Sequence, residues 1–455
     1  MLTAAAFLTV YVAGCLLALV RHPIFGLVTY VGVFYLHPPA RWWGAELPSL
    51  RWSLIAAGIT LLAVMMHHSD DKSPRLFGYS LMRGSLFFLG WLTLQSLWAL
   101  DQTMHFELLT LTAKYVLLMA LIYKCIDSTT HLKYFLWAHA AGCFYLGTIV
   151  FTEYAGGRFE GFGGPGISEA NSGGLQVATG VVVTFALFLS GKWVEKATAI
   201  GFMPFILNAL VATLSRSGFL ALAVAGVLFN LFVPKEKTKV VRAFSLLGLG
   251  LFLVITNPVY WDRIDTILVA GEEIEDEDTG AGRLVLMEAQ LRMFVDHPFG
   301  CGHRCTATLS PAYLDDVYLT GTEERRARSS HNTFMSFLVE QGIPGVVLYI
   351  MLLIWVTRSA VRLREPMRSS SGLLPNTYAA TVAILGAIIV GDLFVDYLKF
   401  EARVWFLAIL MVLDKLDTAN QVKVQQDSEP ETLPVNRVMK KGAPTRLARK
   451  MVVQR

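Results

Sequence analysis

The sequence is poor in charged residues. Asp, Glu, Lys and Arg make up 16% of its 455 residues, whereas ordinary soluble domains contain about 25%. Hydrophobic residues reach 54%, and apolar runs that could cross about 30 Å of hydrocarbon recur along most of the chain. Together these features exclude a soluble globular protein. They predict an all-α polytopic membrane protein.

Several functional signatures are missing as well. The chain has no Gly-Lys-Ser or Gly-Lys-Thr phosphate-binding loop, so use of ATP is not predicted. The acidic run 272–278 lacks the ligand and glycine spacing of a calcium loop and reads as a solvated surface. Five cysteines show no strong metal spacing, and Cys301 and Cys305 fit either a disulfide or two free thiols. No metal, cofactor or nucleic-acid partner is therefore predicted.

Thirteen apolar segments are predicted to form membrane helices. They lie at 2–20, 23–37, 52–67, 82–100, 108–126, 132–153, 173–191, 196–213, 216–233, 241–257, 332–357, 376–396 and 401–415. Several are short, and one of them fits a re-entrant or interfacial position, so about twelve crossings are predicted. The chain then divides into N-terminal transmembrane helices at 1–257, a large loop at 258–330, C-terminal transmembrane helices at 331–416 and a disordered basic tail at 417–455.

The distribution of lysine and arginine predicts the orientation, because short cytoplasmic connections are rich in both. Basic residues concentrate at 234–242, at 358–368 and in the tail. The loop 258–330 contains no lysine, and its 14 Asp and Glu outnumber its 7 Arg. This loop is therefore predicted to lie outside the cytoplasm, with an amphipathic helix at about 283–296.

Three arginines are predicted to face the same external side. Arg216 occupies a tight turn between two apolar segments, and Arg283 follows a glycine-rich entry to the predicted amphipathic helix. Arg158 lies with Asn171 on the glycine-rich connection 154–172. Guanidinium groups match the geometry of phosphate oxygens, and a helix N-terminus adds backbone N–H donors. Each arginine has a competing explanation. Arg216 fits an arginine that extends to the membrane surface, Arg283 fits an ordinary first-turn arginine, and Arg158 fits plain loop chemistry.

A histidine stands where the polar loop enters the next apolar segment. His331 follows Ser329 and Ser330, and either serine is expected to be the N-cap of the helix that begins there. The positive end of a helix lowers the pKa of a histidine and so keeps its imidazole neutral. A neutral imidazole can accept a proton from a hydroxyl group as a general base. A histidine that is merely hydrogen-bonded at the membrane interface fits the pattern equally well.

Two stretches of the chain resemble the O-antigen ligase and polymerase superfamily. They are Asp296-His297-Pro298-Phe299-Gly300-Cys301-Gly302 and Ser330-His331-Asn332-Thr333-Phe334, the second followed by Gly342-Ile343-Pro344-Gly345. Ser215-Arg216-Ser217-Gly218 and the loop with Arg158 and Asn171 also fit the superfamily pattern. The resemblance covers roughly residues 150–400.

The resemblance implies a GT-C-type glycosyltransferase in the bacterial inner membrane, with its active site facing the periplasm. Such an enzyme takes glycan from undecaprenyl diphosphate and needs no metal. Arg216, Arg283 and Arg158 are then expected to bind the donor diphosphate, and His331 to act as the general base. Asn332, Asn171 and Ser330 are expected to support them.

The resemblance leaves the acceptor open. Lipid A–core oligosaccharide is the first expectation, which makes the protein an O-antigen ligase among membrane lipids. An O-antigen or exopolysaccharide polymerase and a protein O-oligosaccharyltransferase are alternatives within the superfamily. A lipid-linked glycan transporter is the alternative of another class, although transporters more often bury charge near the bilayer midplane.

Overall fold

A computed structural model describes residues 1–67, 76–255, 280–316, 319, 328, 332–395 and 398–428. These residues form fifteen α-helices and no β-strand. The helices are α1 Leu2–Val20, α2 Ile24–Leu36, α3 Trp52–Met66, α4 Ser80–Gln95, α5 Gln102–Cys125, α6 Thr129–Glu153, α7 Ala170–Ser190, α8 Trp193–Ala212, α9 Arg216–Phe232, α10 Thr238–Ile255, α11 Gly280–Asp296, α12 Cys305–Tyr313, α13 Thr333–Ser369, α14 Leu373–Gly391 and α15 Glu401–Ser428.

Seven described helices are long and apolar enough to cross a membrane, namely α1, α5, α6, α7, α8, α13 and α14. Shorter apolar helices lie at Ile24–Ala40, Trp52–Met66 and Arg216–Phe232. The chain is therefore a multi-pass α-helical membrane protein. The number of about twelve crossings stays a prediction, since the long and the shorter apolar helices that the structure describes add up to ten.

The regions predicted to lie outside the membrane contain more helix than expected. The loop 258–330 holds α11, which occupies the position of the predicted amphipathic helix, and also the short helix α12. The last helix, α15, continues to Ser428, past the predicted boundary at residue 416. The acidic run 272–278 and the tail from residue 429 lie outside the described residues.

The helix α14 lies at the centre of the bundle. Most of its residues are buried, and it packs along both α7 and α9. Its first turn meets the last residue of α7, because the Asn376 side-chain amide donates to Ser190 Oγ at 2.8 Å. α7 and α14 therefore run in opposite directions, and α14 ends on the side where α7 begins.

The helices α7 and α9 come close together near their first turns. A Cβ added at Gly174 of α7 would lie 3.1 Å from Cβ of Ser215, which precedes α9. A Cβ added at Gly218 of α9 would lie 3.2 Å from the Gly174 backbone. Both helices thus begin at the same end of the bundle, which we call the Arg216 end.

A loop from Pro298 to His303 is hydrogen-bonded both to α13 and to the α4–α5 connection. Its Gly302 N–H donates to the Glu340 carbonyl oxygen of α13 at 3.0 Å. The Trp98 indole, in the α4–α5 connection, donates to the Gly300 carbonyl oxygen at 2.9 Å. We call this arrangement the 298–303 junction.

Two side-chain interactions reinforce the 298–303 junction. The His303 imidazole and the Glu340 carboxylate are both almost fully buried, and their Nδ1 and Oε2 atoms are 2.8 Å apart. Cys301 and Cys305 form a disulfide, which decides between the two states that the sequence left open. The junction therefore joins the loop 258–330 firmly to α13.

The helix α13 is kinked at Gly342, where the backbone adopts φ +64° and ψ −164°. This conformation is essentially restricted to glycine. A Cβ at this position would also overlap the backbone of Phe299 and Gly300. The kink thus gives the loop the space that it needs to pack against α13.

We expect Gly342→Ala to lower the free energy of unfolding by about 3 kcal/mol, since it adds backbone strain to a steric overlap. Thermal unfolding of the purified protein in detergent measures the change. Gly201→Ala is the matched control, because a Cβ at this helical position of α8 meets no atom within 4 Å. Equal melting temperatures for the two variants would contradict the role given to Gly342.

Candidate active site

The glycine-rich loop is held against the start of α9. Arg158 Nη2 donates to the Asn171 side-chain oxygen at 3.0 Å, and Ser215 Oγ donates to the same oxygen at 2.9 Å. The Phe159 N–H donates to the Ala212 carbonyl oxygen at 3.0 Å. Arg158 also lies 3.6 Å from the carboxylate of Glu160. Asn171 thus links the predicted anion-binding loop to the predicted anion-binding turn.

Arg216 is the first residue of α9 and is partly exposed. The residue before the cap, Leu214, has a positive φ of 46°, a backbone conformation that disfavours leucine. Ser215 is the N-cap, and its Oγ accepts from the Gly218 N–H at 3.1 Å. This tight turn places Arg216 at a helix N-terminus, where backbone N–H groups already favour an anion.

The start of α13 is capped differently from the sequence prediction. Asn332 is the N-cap, and its side-chain oxygen accepts from the Met335 N–H at 3.1 Å. The expectation that Ser329 or Ser330 caps the helix is therefore wrong. Asparagine is as good a cap as serine, and it is the residue directly before the first helical position.

The cap of α13 is fastened to the end of α14. The Asn332 side-chain amide donates to the Leu393 carbonyl oxygen at 3.2 Å. The Thr333 N–H donates to the Asp392 carbonyl oxygen at 2.8 Å, and Thr333 Oγ1 donates to Asp392 Oδ1 at 3.0 Å. The cap and the first residue of α13 are therefore fixed to the end of the buried helix α14.

Asp392 itself belongs to a buried ion pair. Its side chain is fully buried and lies 2.5 Å from Arg403 Nη2, whose side chain is 11% exposed. The Tyr349 hydroxyl donates to the second carboxylate oxygen of Asp392 at 2.6 Å. We call Asp392, Arg403, Tyr349 and Thr333 the Asp392 network.

The Asp392 network lies at the Arg216 end of the bundle. This follows because α14 runs opposite to α7, so its last residues are near the first residues of α7. The connection after α14 also touches the glycine-rich loop, since a Cβ at Gly166 would lie 3.3 Å from the Lys399 carbonyl oxygen. The capped start of α13 and the Arg158–Asn171–Ser215 contacts therefore share one end of the molecule.

The helix α11 brings the position of Arg283 toward the same region. α11 packs against the first segment of α13 in a cluster that includes Leu286, Met293 and Val339. α11 and the first segment of α13, up to the kink at Gly342, both end at the 298–303 junction, so both begin on the side remote from it. The first turn of α11, which contains Arg283, and the cap at Asn332 consequently lie on the same side of this cluster.

Part of the predicted site is not described. His331 and Ser330 lie outside the described residues, and only the backbone of Arg283 is described. Of the predicted residues, the structure brings Arg158 and Asn171 into direct contact and places Asn332 at a cap.

The sequence analysis missed the Asp392 network. Asp392 and Arg403 fall within the apolar segments predicted at 376–396 and 401–415. An ionisable residue inside an apolar segment is itself a signal of function, and its partner has the opposite charge. Charge complementarity between these two segments would have identified the pair.

Taken together, this end of the molecule is suited to bind an anion. α7, α9 and α13 all begin here, and the first turn of a helix carries partial positive charge. Arg158 and Arg216 add two guanidinium groups. The Asp392–Arg403 pair is neutral as a unit, so it supports the geometry without changing the net charge of the site.

The chain also matches a known family. Residues 201–350 match the family model described as O-antigen ligase. The matched region contains Arg216, Arg283, His331 and Asn332, whereas Arg158 and the Asp392–Arg403 pair lie outside it. No curated protein matches the chain. This match, over 150 of the 455 residues, supports membership of the O-antigen ligase superfamily.

Proposed function

We propose that the protein is an O-antigen ligase, a metal-independent glycosyltransferase of the GT-C type. It transfers glycan from undecaprenyl diphosphate to a hydroxyl group of lipid A–core oligosaccharide, on the periplasmic side of the bacterial inner membrane. The observation that carries this proposal is the Arg158–Asn171–Ser215 contact, which joins two predicted anion-binding elements beside Arg216. The family match over residues 201–350 supports the same activity class.

In this proposal the arginines handle the leaving group. Arg216, Arg283 and Arg158 bind the donor diphosphate through charged hydrogen bonds, which are stronger than neutral ones. They also stabilise the negative charge that grows on the diphosphate as its bond to the sugar breaks. Three arginines thereby stabilise the negative charge of the leaving diphosphate, a role that a divalent cation has in many diphosphate-using enzymes.

His331 acts on the acceptor. Its neutral imidazole takes the proton from an acceptor hydroxyl group while the oxygen attacks the anomeric carbon. The new carbon–oxygen bond forms on the face opposite the departing diphosphate, so the anomeric centre is inverted. Asn332 and Ser330 support the histidine from either side along the chain.

The anchoring of α13 fixes the two residues that directly follow His331 in the sequence. These residues, Asn332 and Thr333, are bonded to Leu393 and Asp392 at the end of α14. A general base must lie within hydrogen-bond reach of the proton that it removes, so such anchoring favours catalysis. The Asp392 network is thus a positioning device in the proposed mechanism.

Transfer by the purified protein tests the proposal. The assay supplies lipid-linked glycan, rough lipopolysaccharide and excess EDTA in detergent. We expect lipopolysaccharide of higher mass, formed at the same rate with and without EDTA. Lengthening of the lipid-linked glycan would instead identify a polymerase, and transfer to an added periplasmic protein would identify an O-oligosaccharyltransferase. Movement of the donor across vesicles without transfer would identify a transporter.

We expect Arg283→Lys to lower kcat/KM for the donor by about 10- to 100-fold, the equivalent of one or more lost charge-assisted hydrogen bonds. Lysine keeps the charge but cannot reproduce the two-pronged guanidinium contact. Arg292→Lys is the matched control, since Arg292 lies on the same helix and donates to the Tyr313 carbonyl oxygen at 3.3 Å. Wild-type kinetics for Arg283→Lys would exclude bidentate binding at this position.

A further inference from the structure

Two histidines and an aspartate meet at the end of the bundle opposite to the Arg216 end. His22 lies between α1 and α2, Asp127 lies between α5 and α6, and His131 lies in the first turn of α6. His22 Nε2 is 2.9 Å from Asp127 Oδ2, and His131 Nδ1 is 2.6 Å from Asp127 Oδ1. The two imidazole rings are stacked, with centroids 4.0 Å apart.

The spacing of these groups suits a metal ion. One ligand atom from each of His22, Asp127 and His131 lies within 4.8 Å of the others. Zinc binds imidazole nitrogen and carboxylate oxygen at about 2.0–2.2 Å, so small side-chain rotations bring all three atoms into range. All three side chains are partly exposed, so ions in solution can reach them.

We propose that His22, Asp127 and His131 form a binding site for a divalent transition metal of the zinc class. Two imidazoles and one carboxylate select zinc, cobalt or nickel over calcium and magnesium, which prefer oxygen ligands. Binding through His22 Nε2 requires a proton on Nδ1. The 3.2 Å bond from the Ile24 N–H to this Nδ1 must then open when the metal binds.

The position of the site makes its role structural. Asp127 precedes α6, whereas Arg158 follows it, and the 25 residues of α6 span about 37 Å. The metal therefore takes no part in glycan transfer. It ties together the connections α1–α2 and α5–α6, so its binding free energy adds to the stability of the folded state.

Titration with Co²⁺ tests this proposal on the full-length, tag-free protein after treatment with EDTA and removal of the chelator. We expect saturable binding of one Co²⁺ with a visible absorption band, displacement by Zn²⁺ and no displacement by Mg²⁺. Zn²⁺ should also raise the melting temperature. His131→Ala and Asp127→Ala should weaken Co²⁺ binding by at least about 10- to 100-fold. His297→Ala should bind like the wild type.

A further variant separates loss of ligands from loss of fold. Asp127→His supplies another zinc ligand at the same position, so it should retain Co²⁺ binding with a shifted absorption band. The proposal is overturned if the wild type shows no saturable Co²⁺ binding. It is equally overturned if the two alanine variants bind as tightly as the wild type. Transfer activity is not a readout, so the result is independent of the proposed function.

Discussion

Replacing His331 with alanine is expected to lower the rate of glycan transfer by about 10² to 10⁴-fold, the usual contribution of a general base. The affinity for the lipid-linked donor should remain unchanged, because the arginines that we propose to bind the diphosphate are intact. Initial rates at saturating donor, together with a donor-binding measurement on the same preparation, give both values.

His297→Ala is the control for this experiment. His297 follows the last residue of α11 and lies in the stretch Asp296–Gly302 that also resembles the superfamily, but the proposed mechanism gives it no role. Its variant should transfer at close to the wild-type rate. If His331→Ala keeps the wild-type rate, the general base is another group and the mechanism is wrong. If it loses donor affinity instead of rate, His331 binds the donor.

Replacing Asp392 with asparagine is expected to lower the free energy of unfolding by about 3 to 5 kcal/mol. The change leaves the guanidinium group of Arg403 buried without this carboxylate, and a buried charge that loses its partner is strongly destabilising. Thermal or denaturant-induced unfolding in detergent measures the loss.

A double variant separates stability from positioning. Asp392→Leu combined with Arg403→Met removes both charges and should recover most of the lost stability, since apolar pairs replace buried ion pairs well. Transfer should nevertheless remain slow at saturating donor, because Thr333 loses its bond to the Asp392 carboxylate and keeps, through its hydroxyl, only the one to the Val395 carbonyl oxygen. Wild-type transfer by the double variant would show that the Asp392 network does not position His331.

The sequence predicted the helices that depend on hydrophobic length alone. The segments expected at 173–191 and 216–233 are α7 and α9, which run from Ala170 to Ser190 and from Arg216 to Phe232. A run of apolar residues reports directly on a membrane-spanning helix, so a local pattern suffices. α12 was not predicted, because its start at Cys305 follows a turn that depends on the disulfide and on α13.

The sequence identified residues of the candidate site but not the contacts between them. Composition indicated Arg158 and Asn171, whereas their link to Ser215 joins residues 44 positions apart. The proposed metal site was missed for the same reason, since His22 and Asp127 are separated by 105 positions. Such sites arise from tertiary packing, which no short sequence motif encodes.

The 298–303 junction has a consequence for biosynthesis. The His303 N–H donates to His105 Nδ1 across 198 positions of the chain. At about 5–20 residues per second, the ribosome makes this loop roughly 10 to 40 s after it has made His105. During that interval the first turn of α5, which contains His105, lacks this contact. Formation of the 298–303 junction is therefore a late event, completed only after most of the polypeptide has been made.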